Sequence, residues 1–282
     1  MIDALEETAK VIQTPCGDGH MVWHLWGKGA PLVLLHGGSG SWTHWARNIP
    51  ALSQRFRLLV ADLPGLGDSD EPTVPYDSTN YPASTARLAA IVQTGVDAIL
   101  GDDASFHLCG FSFGSIIGTY LAARAGQRVK TLTLAGSAAF GLPWDGLNGN
   151  LKGMTNEMTE AERIEIQRHN LSIIMMAGLV GEDAARMQLR NVERARVRSH
   201  GIGDTDTLMV ALKQVTAPLN GIWGRQDIYA QPNLKRIGEI FRDQDASAIF
   251  NIIDGAGHWV MYEQSAIFDA TLTEIIEQRG GS

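Results

Sequence analysis

Cysteine is nearly absent from this sequence. The 282 residues include two, Cys16 and Cys109, too few for a disulfide framework and too far apart for the spacing of a zinc site. A chain of this length buries a core without either. Cys109 lies in an apolar run and reads as a small buried hydrophobe. Basic runs are missing as well: 23 Lys and Arg stand against 31 Asp and Glu, a net charge of −8. No stretch interleaves cations with aromatics, so no nucleic-acid partner is expected. The nearest thing, Arg186 to Arg198, is diluted by Glu193 and apolar residues. An acidic surface repels anions at long range, so an anionic substrate would need a basic pocket of its own. Long apolar runs are lacking too. The most apolar stretch, Leu171 to Val180, is too short to span a bilayer. Met1 to Pro15 carries Asp3, Glu6 and Glu7 and has no apolar core of the kind a secretory signal needs. A cytoplasmic location with no membrane partner is therefore the expectation, with room left for a homo-oligomer.

What is present is an ordinary globular composition, 44% hydrophobic and 19% charged. Val11–Thr14 and Met21–Trp26 flank the turn Cys-Gly-Asp-Gly and read as an antiparallel hairpin. Then come short continuous apolar runs, each ending in a polar or Gly-rich loop: Leu32–Leu35, Arg57–Ala61, Phe106–Cys109, Thr131–Leu134, Leu219–Trp223 and Ala248–Ile253. Such runs suit parallel strands covered on both faces. Helical patterns lie between them. Ser84–Leu100 places Leu88, Ile91, Val92, Val96 and Ile99 at helical spacing; Phe113–Ala125, Asn233–Phe241 and Ala266–Ile276 follow later strands. The alternation predicts an α/β fold with a doubly wound, mostly parallel sheet. Residues 140–210 break it, with helices and no strand. A capping box, Thr159-Glu160-Ala161-Glu162, opens one helix, and Glu182–Arg198 forms another. The expected organisation is a core of residues 1–139 and 211–282 with a helical cap, 140–210, inserted between core strands and lying over the site.

Three motifs carry chemistry. Gly110-Phe111-Ser112-Phe113-Gly114 sits between a strand and a helix. A G-x-S-x-G turn this sharp forces strain on the serine and tolerates no side chain at the flanking glycines. The helix N-terminus behind it offers N–H groups to a developing oxyanion. Leu32–Leu35 runs into His36-Gly37-Gly38-Ser39-Gly40, a loop whose backbone can lie flush against a substrate. The oxyanion donors are assigned to the N–H groups of Gly38 and Phe113, with His36 holding the loop. A phosphate loop is excluded, since neither a Gly-Lys-Ser/Thr ending nor Rossmann spacing is present. Asp254-Gly255-Ala256-Gly257-His258-Trp259 follows the last strand, and His258, alone of eight histidines, is late, on a loop and in the order Ser, Asp, His. Trp223-Gly224-Arg225-Gln226-Asp227 ends the preceding strand and supplies the acid that orients His258. Asp145 and Asp254 are the alternative acids.

These residues resemble the α/β-hydrolase superfamily over nearly the whole chain. Asp62-Leu63-Pro64-Gly65-Leu66-Gly67-Asp68-Ser69 resembles its D-x-P-G-x-G-x-S loop, which implies a structural role. A serine nucleophile argues against the dehalogenase and epoxide hydrolase branches. Trp223-Gly224-Arg225-x-Asp227 and Gly257-His258-Trp259 with Glu263 are similar to the carbon–carbon bond hydrolases that act on ring-cleavage products. That resemblance implies a cap arginine for an acidic substrate, with Arg190 as counterpart. The sequence departs from that family at Phe111, where Asn is usual, and at Gly38-Ser39-Gly40-Ser41, which replaces Gly-Pro-Gly.

The expected activity is hydrolysis of a small to medium, mainly apolar ester, with no metal or organic cofactor. Ser112 attacks, His258 shuttles the proton and Asp227 orients it. Carbon–carbon hydrolysis of a vinylogous diketo acid is the alternative enzyme reading; a ligand receptor of the same fold is the third. Ser39, Phe111, Trp259 and Arg190 are the expected substrate contacts. Trp42, His44, Trp45 and cap residues Met154, Met158, Met175 and Met176 complete an apolar wall.

Overall fold

The computed structural model describes residues 1–144, 146 and 150–280. Asp145, one alternative acid, lies outside them. Eight strands form one sheet: β1 (Lys10–Cys16), β2 (Gly19–Trp26), β3 (Ala30–Leu35), β4 (Phe56–Ala61), β5 (Phe106–Phe111), β6 (Val129–Ala135), β7 (Leu219–Gly224) and β8 (Ile249–Ile253). Their order is β1-β2-β4-β3-β5-β6-β7-β8. β1 pairs antiparallel with β2, and β2 with β4; every other neighbour is parallel. From β3 the chain moves one way to β4 and then back to the other side for β5. This reversal opens a crevice beyond the C-terminal ends of β3 and β5, where ligands bind in open α/β sheets.

The period-two alternation of a strand explains how the core divides. Val33, Leu35, Leu59, Ala61, Phe106 and Leu108 pack on one face, with Val92 and Ile117. Leu32, Leu34, Leu58, Val60, Cys109 and Phe111 pack on the other, with Phe268 and Leu272. Both faces are covered, which is why the strand runs are continuously apolar.

The helices are α1 (Ile2–Thr8), α2 (Ile49–Leu52), α3 (Tyr81–Leu100), α4 (Phe113–Ala125), α5 (Glu160–Ile174), α6 (Glu182–Arg194), α7 (Thr207–Leu212), α8 (Leu234–Gln244), α9 (Val260–Glu263) and α10 (Ser265–Arg279). Between β6 and β7 the described residues form helices and no strand. The box at α5 is closed in both directions: the Glu162 N–H donates to Thr159 Oγ1, and the Thr159 N–H donates to Glu162 Oε2 at 2.8 Å.

α6 ends at Arg194, four residues before the predicted end. The N–H groups of Arg196 and Val197 both donate to the Gly65 carbonyl, at 2.9 and 3.2 Å, which draws the chain off the helical path. The short helix α1 carries no sequence signal of its own. It is held from outside, by Trp26 Nε1 donating to the Leu5 carbonyl at 3.1 Å. Among the described residues no helix is long and apolar enough to cross a membrane.

Candidate active site

Ser112 stands between β5 and α4 with φ 52° and ψ −118°, a strained conformation for a residue with a side chain. The neighbouring glycines permit it. A Cβ on Gly110 would come within 2.6 Å of Ser115 Cα, and one on Gly114 within 2.5 Å of the Leu35 carbonyl oxygen. The turn is pinned by the Ser112 N–H donating to the Ala135 carbonyl at 2.9 Å.

A short chain of hydrogen bonds starts at this serine. Ser112 Oγ lies 3.0 Å from His258 Nε2. His258 Nδ1 lies 3.0 Å from both carboxylate oxygens of Asp227. With Nδ1–H donating to Asp227, Nε2 is left as the acceptor for the serine hydroxyl. Asp227 is completely buried, and its Oδ1 also accepts from the Tyr229 N–H at 3.0 Å. The His258 ring is flanked by Tyr229 edge-on, 4.6 Å between centroids, and by Phe111 at 5.0 Å. Burial pushes the Tyr229 hydroxyl up to about 12, so it stays protonated. Asp254, the other alternative acid, is exposed and ion-paired with Arg225.

The loop after β3 lies against this serine. A Cβ on Gly37 would sit 3.2 Å from Ser112 Cβ, and one on Gly38 would sit 3.8 Å from Phe113 Cβ. Phe113 is the first residue of α4, so its N–H has no acceptor within the helix and points out of its end. His36 fastens the loop from below: its Nδ1–H donates to the Gly37 carbonyl at 2.7 Å, and its Nε2 accepts from the Leu63 N–H at 2.9 Å. Burial holds its pKa down at about 3, so the ring is neutral and offers one donor and one acceptor. The D-x-P-G-x-G-x-S loop is the other anchor. The buried Asp62 carboxylate accepts from the Trp42 N–H at 2.7 Å and the Asp68 N–H at 2.9 Å.

Of the expected substrate contacts, two are packed into the core and one is on the surface. Phe111 and Trp259 are completely buried and present no surface to a ligand. Phe111 shares its face of β5 with Cys109 and belongs to the core below the crevice. Trp259 stacks on Tyr262, 4.2 Å between centroids, and its Nε1–H donates to the His44 carbonyl at 3.3 Å. Arg190 is exposed and lines a surface groove with Met1, Ile2, Asp3 and Glu6. The buried face of α6 is carried by Ala184, Ala185, Met187, Gln188, Leu189 and Asn191, which turns Arg190 outward. Ser39 remains at the loop, half-buried with φ 48°.

Four residues at or beside the site gave no signal, or only an indirect one, in the sequence. Tyr229 covers the imidazole. Ser199 faces Gly38 so closely that a Cβ there would collide with its Oγ. Glu263, noted above only through a resemblance, accepts from the N–H groups of Gly257 at 2.6 Å, Ala177 at 2.9 Å and Gly178 at 2.8 Å. It thereby fastens the His258 loop to the segment after α5. The same segment receives the Trp259 N–H on the Met175 carbonyl at 2.7 Å. Gln188 donates from Nε2 to the Ser39 carbonyl at 3.0 Å.

The family model described as alpha/beta hydrolase fold matches residues 30–265. The pimeloyl-[acyl-carrier protein] methyl ester esterase of Vibrio campbellii is 29% identical over 222 residues, which span 73% of this chain and 79% of that protein. The 2-hydroxy-6-oxononadienedioate/2-hydroxy-6-oxononatrienedioate hydrolase of Cupriavidus pinatubonensis is 26% identical over 295 residues, 95% of each chain. Among solved structures, a mutant of the meta-cleavage product hydrolase CumD superposes with a TM-score of 0.74 at 25% identity, covering 97% of this chain and 99% of that one.

Proposed function

This chain belongs to the alpha/beta hydrolase fold family, and from that premise we propose that it is a serine hydrolase cleaving a small to medium, mainly apolar ester through Ser112, His258 and Asp227. The observation that carries the reading is the unbroken contact from the strained serine through His258 to a buried carboxylate, each step 3.0 Å. Ser112 Oγ attacks the ester carbonyl while its proton passes to His258 Nε2. The Asp227 carboxylate, fixed by the Tyr229 N–H, stabilises the imidazolium that forms. The carbonyl oxygen becomes an oxyanion facing the N–H groups of Gly38 and Phe113. Collapse breaks the ester C–O bond, and the proton on Nε2 leaves with the alcohol. Water then attacks the acyl-serine, giving its proton to His258, and the acid departs as Ser112 is regenerated.

Residues 140–210 are read as a cap over this site, with 1–139 and 211–282 as the core. Three contacts support the reading: Gln188 on the Ser39 carbonyl, Ser199 against Gly38, and Met175 on the His258 loop.

Carbon–carbon hydrolysis of a ring-cleavage product is the second reading. The near full-length similarity to the Cupriavidus hydrolase favours it. The outward position of Arg190 weighs against it, because a carboxylate held in an apolar pocket needs a paired cation. The deciding experiment is kcat/KM for a panel of acyl esters and a ring-cleavage product, measured side by side with wild type and Arg190→Ala. The ester reading expects turnover of esters, little of the diketo acid, and a change below about threefold in the variant, as for a surface substitution. Efficient carbon–carbon cleavage with a large rise in KM in Arg190→Ala would reverse the order of the two readings.

A further inference from the structure

The loop that carries Gly38 is bracketed by two side chains that the triad does not use. His44 is buried in the turn after the loop and accepts the Gly37 N–H on Nδ1 at 3.3 Å. Its Nε2–H therefore points away and meets Gln188 Oε1 at 3.1 Å. The other end of the same amide, Gln188 Nε2, donates to the Ser39 carbonyl at 3.0 Å. The partners fix which way the amide faces, since a carbonyl can accept only from the nitrogen. Burial keeps the His44 pKa down at about 4, so the ring stays neutral and retains the acceptor that Gly37 needs.

The groups joined in this way are the N–H of the residue before Gly38 and the C=O of the residue after it. Between them lies the N–H assigned to the oxyanion. Ser39 holds φ 48°, and such a conformation persists only where the surroundings over-determine it. Of the three non-glycine residues with positive φ among those described, two are Ser39 and Ser112. The Ser112 conformation is permitted by the glycines around it and pinned by its N–H on the Ala135 carbonyl. That of Ser39 is fastened by the amide reaching down from α6. Asn191, one turn further along, extends the same network: its Oδ1 accepts from Ser41 Oγ at 2.8 Å, and its Nδ2 donates to Thr43 Oγ1 at 3.0 Å.

We propose that Gln188 is a positioning residue for the oxyanion hole, holding the Gly38 N–H in place by tying the Ser39 carbonyl to His44. Helix α6 therefore sets the electrophilic half of the site. The inference rests on the ester-hydrolase reading. It makes a demand that a packing role does not: loss of Gln188 should weaken the transition state and leave ground-state binding almost untouched.

The test uses the full chain with p-nitrophenyl butyrate and phenylboronic acid. Boron accepts the Ser112 oxygen, the hydroxyl proton passes to His258, and the tetrahedral adduct places a boron hydroxyl where the oxyanion would stand. Active sites are counted by phosphonate titration, so misfolded protein does not enter the rates. Gln188→Met keeps the length and bulk of the side chain and removes both hydrogen bonds. It is expected to lower kcat about 10- to 100-fold, the scale of a displaced rather than deleted donor. KM should stay within about threefold, and boronate affinity should fall by the factor lost from kcat/KM. Gln188→Glu keeps an acceptor for His44 but sets a carboxylate oxygen against the Ser39 carbonyl. Its loss should be at least as large, and it serves as the second reading if the Met variant does not fold. Variants with kcat and boronate affinity per titrated site within about twofold of wild type, in an enzyme that Ser112→Ala inactivates, would overturn the positioning role alone. Full activity in Ser112→Ala would remove the underlying hydrolase reading instead.

Discussion

Ser112→Ala is expected to lower kcat for a small acyl ester by about 10⁶-fold, the loss typical when the nucleophile of a triad is removed. The size follows from what is lost. Without Oγ there is no acyl-enzyme, and the single difficult step is no longer divided into two easier ones. The residual rate would come from the N–H groups of Gly38 and Phe113, which still polarise a bound carbonyl toward water. Folding should survive. The side chain is partly exposed at the crevice, and the Ser112 N–H keeps its bond to Ala135. Alanine at φ 52° is strained as serine is. The measurement is kcat by initial rates beside a thermal melt; near-wild-type turnover by folded variant would sink the nucleophile assignment.

Asp227→Asn should cost about 10⁴-fold in kcat. An amide can turn its NH2 toward His258 Nδ1, which then has to accept. That moves the imidazole proton to Nε2, the nitrogen that must take the serine proton, and the base is lost while the geometry stays. Asp227→Ala removes the partner altogether and also leaves the Tyr229 N–H without its acceptor. In both variants KM should change far less than kcat, because neither substitution touches the bound ester. Full activity in Asp227→Ala would move the orienting role to another acid, and Asp254 is badly placed for it, exposed and held by Arg225.

The pattern of what was legible in the sequence has a physical basis. The strands of the parallel sheet are buried on both faces, so they appear as continuous apolar runs, and the loops at their ends carry the motif residues. Ser112 and His258 stand out in the sequence because one lies in a strand-to-helix turn with glycines on either side and the other in a glycine-rich loop after the last strand, and the structure brings their side chains within 3.0 Å. Asp227 was one of three candidates, and three-dimensional proximity to Nδ1 separates it from Asp254. Short helices such as α1 and α9, of 7 and 4 residues, have too few turns to show a period and are held by tertiary contacts.

Neighbours of Ser112 and His258 in sequence need not line the space above them. Phe111 is two residues after Cys109, and strand alternation already puts both on one face of the sheet, packed in the core below the crevice. Arg190 belongs to the stripe Arg186, Arg190, Glu193 along α6, spaced four and three residues apart, the mark of a solvated face. The inward positions, Gln188 and Asn191, are uncharged amides. They were invisible because their value lies in loop carbonyls and hydroxyls more than a hundred residues away in sequence.

The central claim is that Ser112 is an activated nucleophile, and covalent labelling tests it most directly. A fluorophosphonate should transfer one phosphonyl group per chain, with fluoride leaving as Ser112 Oγ bonds to phosphorus and His258 takes the proton. Digestion and mass spectrometry should find the added mass on the peptide containing Ser112, and Ser112→Ala should take up none. An adduct at another residue, or none on folded wild-type protein, would contradict the account.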